Sequence, residues 1–164
     1  MKFELIRSLE ELTESIEGSL ILSSSLQYWN DEIDDVTNNL SEISLSDWEE
    51  VISTYKIMDD YDSFIGIISF YTLKKGILQR QFIQIDKIDI FTQYMGYGYE
   101  AKVYKKLFKK YPKAKFINYI MSQDELNSNS YMVKSLLDIG FKKKKLKTAG
   151  MFDYKFCLYR NDIM

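Results

Sequence analysis

The sequence predicts one α/β (α+β) domain spanning residues 1–164, in which a mixed, mostly antiparallel central sheet of about seven strands is flanked by about four helices. Three observations predict it. Apolar residues alternate with period two over much of residues 51–90. An apolar strand end, Ile88-Asp89-Ile90, runs through two glycines into an amphipathic helix lined with lysines. Strand and helix patterns then alternate to the end of the chain with no linker, internal repeat or low-complexity tract.

In chain order, a short strand covers residues 2–7. Ser8-Leu9-Glu10-Glu11 then has the capping-box spacing, and Leu9, Leu12 and Ile16 recur at helical spacing, which predicts a helix. A second helix is read from Leu26, Ile33, Val36 and Leu40, with Asp31, Glu32, Asp34 and Asp35 on its more exposed side. From Val51 the period becomes two, until Asp59-Asp60-Tyr61-Asp62 breaks the run. Strands over residues 64–73 and 77–90, joined at Lys74-Lys75-Gly76, complete an antiparallel meander. Within the last of these the apolar parity switches from Ile83 and Ile85 to Ile88 and Ile90. Either a bulge near Asp86-Lys87 restores the register, or the strand is buried on both faces.

Beyond Gly98, Val103, Tyr104, Leu107, Phe108 and Tyr111 share one helix face and five lysines the other, with Pro112 at its end. A strand over 115–121, a polar loop from Ser122 to Ser128, and a helix striped by Met132, Val133, Leu136 and Leu137 follow, with Gly140 as its stop. The last two strands cover 141–147 and 152–160.

Composition narrows the chemistry. With no histidine, Ser-His and Cys-His nucleophilic machinery and histidine-ligated metals are excluded, and no metal is expected. Proton transfer must use carboxylates, tyrosines, lysines or water. The single cysteine, Cys157, allows no internal disulfide and reads as an inert buried thiol. The N-terminus carries acid where a signal peptide needs base. No apolar run approaches the roughly 20 residues of a membrane span, so a soluble, cytoplasmic protein with no membrane partner is expected. Residues 1–66 hold 3 Lys/Arg against 16 Asp/Glu, and the remainder 19 against 8. That asymmetry fits an acidic substrate-side wall and a basic side facing an anionic ligand, or simply two solvated faces that attract on folding. The net charge of -2 argues against a nucleic-acid partner.

The segment Gln93-x-x-Gly96-x-Gly98 reads as an anion cradle. Helix N-termini leave about four backbone N–H groups unpaired, and glycine lets that backbone approach a phosphate closely. The segment fits the pattern Q/R-x-x-G-x-G/A, which resembles the acetyl-CoA pyrophosphate loop of the GNAT superfamily of N-acyltransferases. Asn129-x-x-Met132 followed by Ile139-Gly140-Phe141 resembles the family's N-x-x-A...Y-x-x-x-GF segment, and the strand and helix order is similar to GNAT topology over nearly the whole chain. Three positions depart from the pattern. Gln93 replaces the commoner arginine, Met132 a small residue, and Leu136 the tyrosine.

The resemblance implies a single GNAT-like domain that moves an acetyl group from acetyl-CoA to a primary amine. It implies that backbone from Met95, Gly96, Tyr97, Gly98 and Tyr99, with Gln93, holds the pyrophosphate. The main chain of Ile88 and Ile90 would pair with the pantetheine arm where two strands splay, and Asn129 would contact the arm's far end. Transfer is direct, so the amine must be neutral. A lysine-like amine of pKa about 10.4 costs about 4.6 kcal/mol to deprotonate at pH 7. Asp86 is the first candidate base, followed by Asp124, Glu125 and Tyr119; Tyr119 is also the candidate acid, because Leu136 cannot protonate a leaving thiolate. Tyr131 is the poorer candidate, being turned about 140° from Leu136 on a helix. The acidic N-terminal part points to a cationic small-molecule or peptide acceptor, and a homodimer stays open. A second class also stays open: a non-catalytic acyl-CoA-binding or protein-interaction module on the same fold.

Overall fold

The computed structural model describes residues 1–6, 53–75, 80–148 and 151–164. The two helices expected between residues 8 and 40, and the turns at Gly76 and Gly150, lie outside the described residues. Seven strands form one sheet in the order β1-β2-β3-β4-β5-β7-β6. They are β1 (Lys2–Leu5), β2 (Ser53–Met58), β3 (Phe64–Lys75), β4 (Arg80–Ile90), β5 (Phe116–Ser122), β6 (Lys142–Thr148) and β7 (Met151–Tyr159). All neighbours are antiparallel except β4 and β5. The mixed, mostly antiparallel sheet is therefore as the sequence predicts.

The meander closes through a side-chain turn. Asp59, buried at the end of β2, accepts hydrogen bonds from the Tyr61 and Ser63 N–H groups at 2.8 and 2.9 Å. A short carboxylate that bonds its own following backbone is a turn former, which is why the strand stops here.

The parity switch in β4 is a bulge. Lys87 faces Ser69 on β3 and Ile85 faces Phe70, so Asp86 is the extra residue. Ile83, Ile85, Ile88 and Ile90 thereby all join the same core, at 5% exposure or less. Phe82 and Lys87 are buried as well, so β4 is also largely covered on its other face.

Helix α1 (Tyr99–Lys110) packs Val103, Tyr104, Leu107 and Phe108 onto the sheet, all fully buried, and Tyr104 meets Phe141 edge-on at 4.9 Å. Its C-terminal end is clamped by Arg160, whose guanidinium donates to the Phe108, Tyr111 and Ala114 carbonyls at 2.7, 2.8 and 3.0 Å. Those are carbonyls a helix end leaves without intrahelical partners, or lies beside.

Three local expectations need correction. The polar stretch after β5 is a helix, α2 (Gln123–Ser128), with Ser122 and Glu125 as a reciprocal capping box. Helix α3 (Ser130–Ile139) ends at Gly140, φ 111°, as expected, yet Leu137 is 45% exposed, and Leu136 is its one fully buried side chain. Cys157 is only half-buried, and burial pushes its thiol pKa up. A last turn, α4 (Arg160–Ile163), follows β7. Among the described residues no helix is long and apolar enough to cross a membrane.

Gly66 stands opposite Ile90, where β4 backbone lies against it. A Cβ there would lie 2.3 Å from the Asp89 carbonyl oxygen and 3.1 Å from the Ile90 Cα, both backbone atoms that cannot swing aside. Gly66→Ala should cost about 1–3 kcal/mol through forced backbone displacement. Thermal denaturation checks it; an unchanged melting temperature would show that β4 yields there freely.

Candidate functional site

The site begins where the sheet comes apart. β4 and β5 pair in parallel only at Ile83/Ile117, Gln84/Asn118 and Ile85/Tyr119. The bulge at Asp86 follows at once. Beyond it β4 stays on β3 while β5 stays on β7, so the two strands diverge.

The orientation of the freed backbone follows from the strand period. Phe91 N–H donates to Ile65 O on β3 at 3.0 Å. Main-chain groups alternate sides from residue to residue, so those of Ile88 and Ile90 point away from β3 and into the gap. The gap is a cleft of about 430 Å³, walled by Ile88, Ile90, Tyr119, Met121, Asn129 and Met132, with Lys87, Asp89, Glu100 and Glu125 as its charged groups.

The glycine turn stands at one end. A 3-10 turn, Thr92–Tyr94, leads into Gly96 (φ 81°) and Gly98 (φ 73°), and Gly98 is the residue that opens α1. Both φ values lie in the left-handed region that favours glycine. No side chain caps the helix, and a Cβ built at either glycine meets nothing within 4 Å. The glycine turn therefore leaves room beside the start of α1, where backbone N–H groups lack intrahelical partners. A second hollow, about 590 Å³, runs from the glycines along Glu100 and Tyr131 to Lys105, Lys134 and Asp138.

The expected site residues fall into two groups. Ile88, Ile90, Met95, Tyr119 and Asn129 line the cleft, and Gly96 and Gly98 line the adjoining hollow. Gln93 and Tyr97 are exposed beside them, and Tyr99 is half-buried, edge-on to Tyr94 at 6.1 Å. Asp86 does not line the cleft. As the bulged residue it faces solvent, although the protein mass around it raises its carboxyl pKa by desolvation. Asp124 is exposed on the first turn of α2, and the Glu125 carboxylate accepts from Ser122 N–H at 2.7 Å in the capping box.

Sequence reasoning missed two residues. Tyr131 lines both the cleft and the hollow, although helix geometry had argued against it. The reason is the same 140°: Leu136 is turned wholly into the core, so a side chain on the far side of α3 is the one that faces out. Lys87 was passed over because the bulge, not the alternation, decides which of residues 86 and 87 turns inward. It is 6% exposed, and burial pushes its pKa down to about 7, against the pull of Asp89 and Glu125.

Lys87 carries a stability signature. The unfolded chain, titrating near 10.5, binds more protons than the fold between about pH 7 and 10.5, so stability rises with pH across that window. Lys87→Met should remove the penalty. The gain in melting temperature should be largest below pH 7 and vanish by about pH 10.5; a gain that is flat with pH would assign the shift elsewhere.

No protein-family model matches the chain, and neither does any curated protein. Solved structures do. The aminoglycoside acetyltransferase AAC(6')-Ib in complex with coenzyme A aligns with a TM-score of 0.62 at 15% identity, covering 98% of this chain and 96% of that one. A chimera of the spermidine N-acetyltransferase SpeG from Vibrio cholerae and hSSAT aligns at 0.59 and 11% identity, covering 99% and 98%. A Desulfovibrio desulfuricans protein of the GNAT family, described as an acetyltransferase, aligns at 0.60 and 10% identity, covering 96% and 98%. A seven-stranded sheet that parts between β4 and β5 beside a glycine turn, and that superposes nearly end to end on these acetyltransferases, is the GNAT fold.

Proposed function

We propose that the protein is an N-acetyltransferase that moves an acetyl group from acetyl-CoA to a primary amine by direct transfer. The observation that carries it is the backbone of Ile88 and Ile90, turned away from β3 and past the last rung shared with β5, beside a glycine turn with room for an anion. Buried backbone polar groups need partners, and an extended amide-bearing arm supplies them as an added strand would. The free N–H groups at the start of α1 suit a pyrophosphate, with Lys105 and Lys134 as nearby cations. The solved complex of AAC(6')-Ib with coenzyme A supports the same donor.

In this reading Gln93, Met95, Gly96, Tyr97, Gly98 and Tyr99 hold the phosphates, Ile88 and Ile90 the arm, and Asn129 its far end. Tyr119 stands at the last shared rung of β4 and β5, at the deep end of the cleft where the acyl group would lie. Asp86 would act as base only through water, since it is outside the cleft. The burial of Leu136 favours a second reading, a non-catalytic acyl-CoA-binding module, because the family's tyrosine position offers neither a hydroxyl nor a cleft-facing side chain.

Donor binding tests the reading directly. Gly98→Leu places side-chain atoms in the cradle and forces a left-handed φ on a branched residue, costing about 1–2 kcal/mol of stability. It should weaken acetyl-CoA at least tenfold by calorimetric titration while the fold persists. Absence of binding by the unaltered protein at millimolar acetyl-CoA would end the acyltransferase reading.

For the acceptor, the acidic balance of residues 1–66 favours a cation, with Asp31, Glu32, Asp34 and Asp35 outside the described residues. SpeG, one of the similar folds, is named for spermidine. Thiol release with a polyamine panel should fall as salt rises, since exposed charges are screened within about 8 Å at physiological ionic strength. Salt-insensitive turnover with a preference for neutral amines would remove this acceptor class.

A further inference from the structure

If acyl transfer occurs here, the departing thiolate needs a proton, and Leu136 cannot give one. It is fully buried against the core, so no rearrangement of its side chain brings it to the cleft. The described groups around the cleft that carry exchangeable protons or charge are Lys87 and Asp89 on β4, Glu100 on α1, Tyr119 on β5, Glu125 on α2 and Tyr131 on α3. An ionised carboxylate only accepts hydrogen bonds and has no proton to give. Glu125 is moreover engaged as a helix cap. Tyr131 is half exposed, on the rim shared with the outer hollow.

That leaves Tyr119 and Lys87. Tyr119 is on the last rung where β4 and β5 are still paired, and Lys87 is two residues past the corresponding rung on β4, just beyond the bulge. Both therefore stand where the gap opens, the end farthest along β4 from the glycine turn. Tyr119 is still on a paired rung, whereas Lys87 lies past the bulge, where β4 has left β5, and the leaving group is a thiol of pKa about 8.5. An ammonium that burial has brought to about 7 is the stronger acid and can protonate a thiolate downhill.

We propose that Lys87, carried into the cleft by the bulge at Asp86, is the proton donor to the leaving thiolate, in the role that the side chain at Leu136 cannot fill. The proposal rests on the acetyltransferase reading. In the step, a neutral amine nitrogen bonds to the acyl carbon and the carbon–sulfur bond breaks with its electron pair going to sulfur. The Lys87 ammonium gives that sulfur a proton. The proton shed by the nitrogen as it becomes an amide returns Lys87 to its charged form, so acetyl-CoA and amine leave as free thiol and amide with atoms and charge balanced. Only the ammonium form donates, so the rate falls as pH rises through about 7.

The test uses the full chain, acetyl-CoA and hydroxylamine, an acceptor already neutral at pH 7, so that acceptor deprotonation does not mask the leaving-group step. Thiol release by the unaltered protein should decline above about pH 7. Lys87→Met should be slower by a factor of about 10² at pH 6.5, near the low end for loss of a general acid because a thiolate leaves readily. Its decline above pH 7 should be gone, while calorimetry shows acetyl-CoA binding kept within a few-fold. Lys87→Arg keeps the charge without a dissociable proton in this range and should be as slow as Lys87→Met. Tyr119→Phe should keep the decline.

Three results overturn the assignment. They are a Lys87→Met variant that matches the unaltered rate and pH profile, a Lys87→Arg variant that restores the rate, which makes the role purely electrostatic, and a Tyr119→Phe variant that abolishes the decline. Each leaves the acetyltransferase reading standing. Failure of the unaltered protein to bind acetyl-CoA, or to release thiol from it with any amine, overturns both.

Discussion

The rest of the structure depends on hydrogen bonding between β4 and β5 ending after three rungs. A parallel pair that continued would satisfy every backbone group and leave a closed sheet with no site. Here a single inserted residue, Asp86, twists β4 at the point where pairing stops, and bulges increase local twist in this way. The diverging strands are then held from outside, β4 by β3 and β5 by β7. The gap is therefore a property of the sheet's register rather than of a mobile loop. Main-chain groups that face the gap must find water or another partner there.

Much of this was legible in the sequence, for identifiable reasons. The switch from Ile83 and Ile85 to Ile88 and Ile90 could be reconciled with one core by an inserted residue, and the two glycines marked the turn into a helix that the structure builds with positive φ at both. What alternation could not supply is which residue is inserted. The choice between Asp86 and Lys87 reverses the two side chains, and with them the chemistry of the cleft. The polar run after β5 read as a loop because it has almost no apolar stripe, yet Ser122 and Glu125 already had capping-box spacing. A six-residue helix held mainly by its caps has little periodicity to detect. Leu136 and Tyr131 failed for a related reason: their angular separation is fixed by the helix, but the rotation of α3 is set by tertiary packing, which takes Leu136 into the core.

Helix α1 is unsymmetrical in a way that bears on anion binding. Its carbonyl end is answered by the Arg160 guanidinium, whereas at its amide end no described side chain makes a capping hydrogen bond, although Glu100 stands in the first turn. Alignment of peptide dipoles leaves about half a positive charge at the amide end. With its inner face wholly buried the helix is fixed in position, and its amide end lies beside the hollow at Gly96 and Gly98, which Glu100 also lines.

The sheet has two outer strands, β1 and β6. Along β6, Lys142, Lys143, Lys144 and Lys145 are all exposed, two pointing to each side of the sheet. Another strand aligned against this edge would bring a second polymer backbone between facing ammonium groups, and if that strand belonged to an identical chain in antiparallel register, lysine would stand opposite lysine. Like charges directly across a ladder are destabilising. The run thus works as a guard on this edge of the described sheet, disfavouring fibrillar stacking, and it steers any self-association of this chain towards surfaces other than continuation of the sheet at β6.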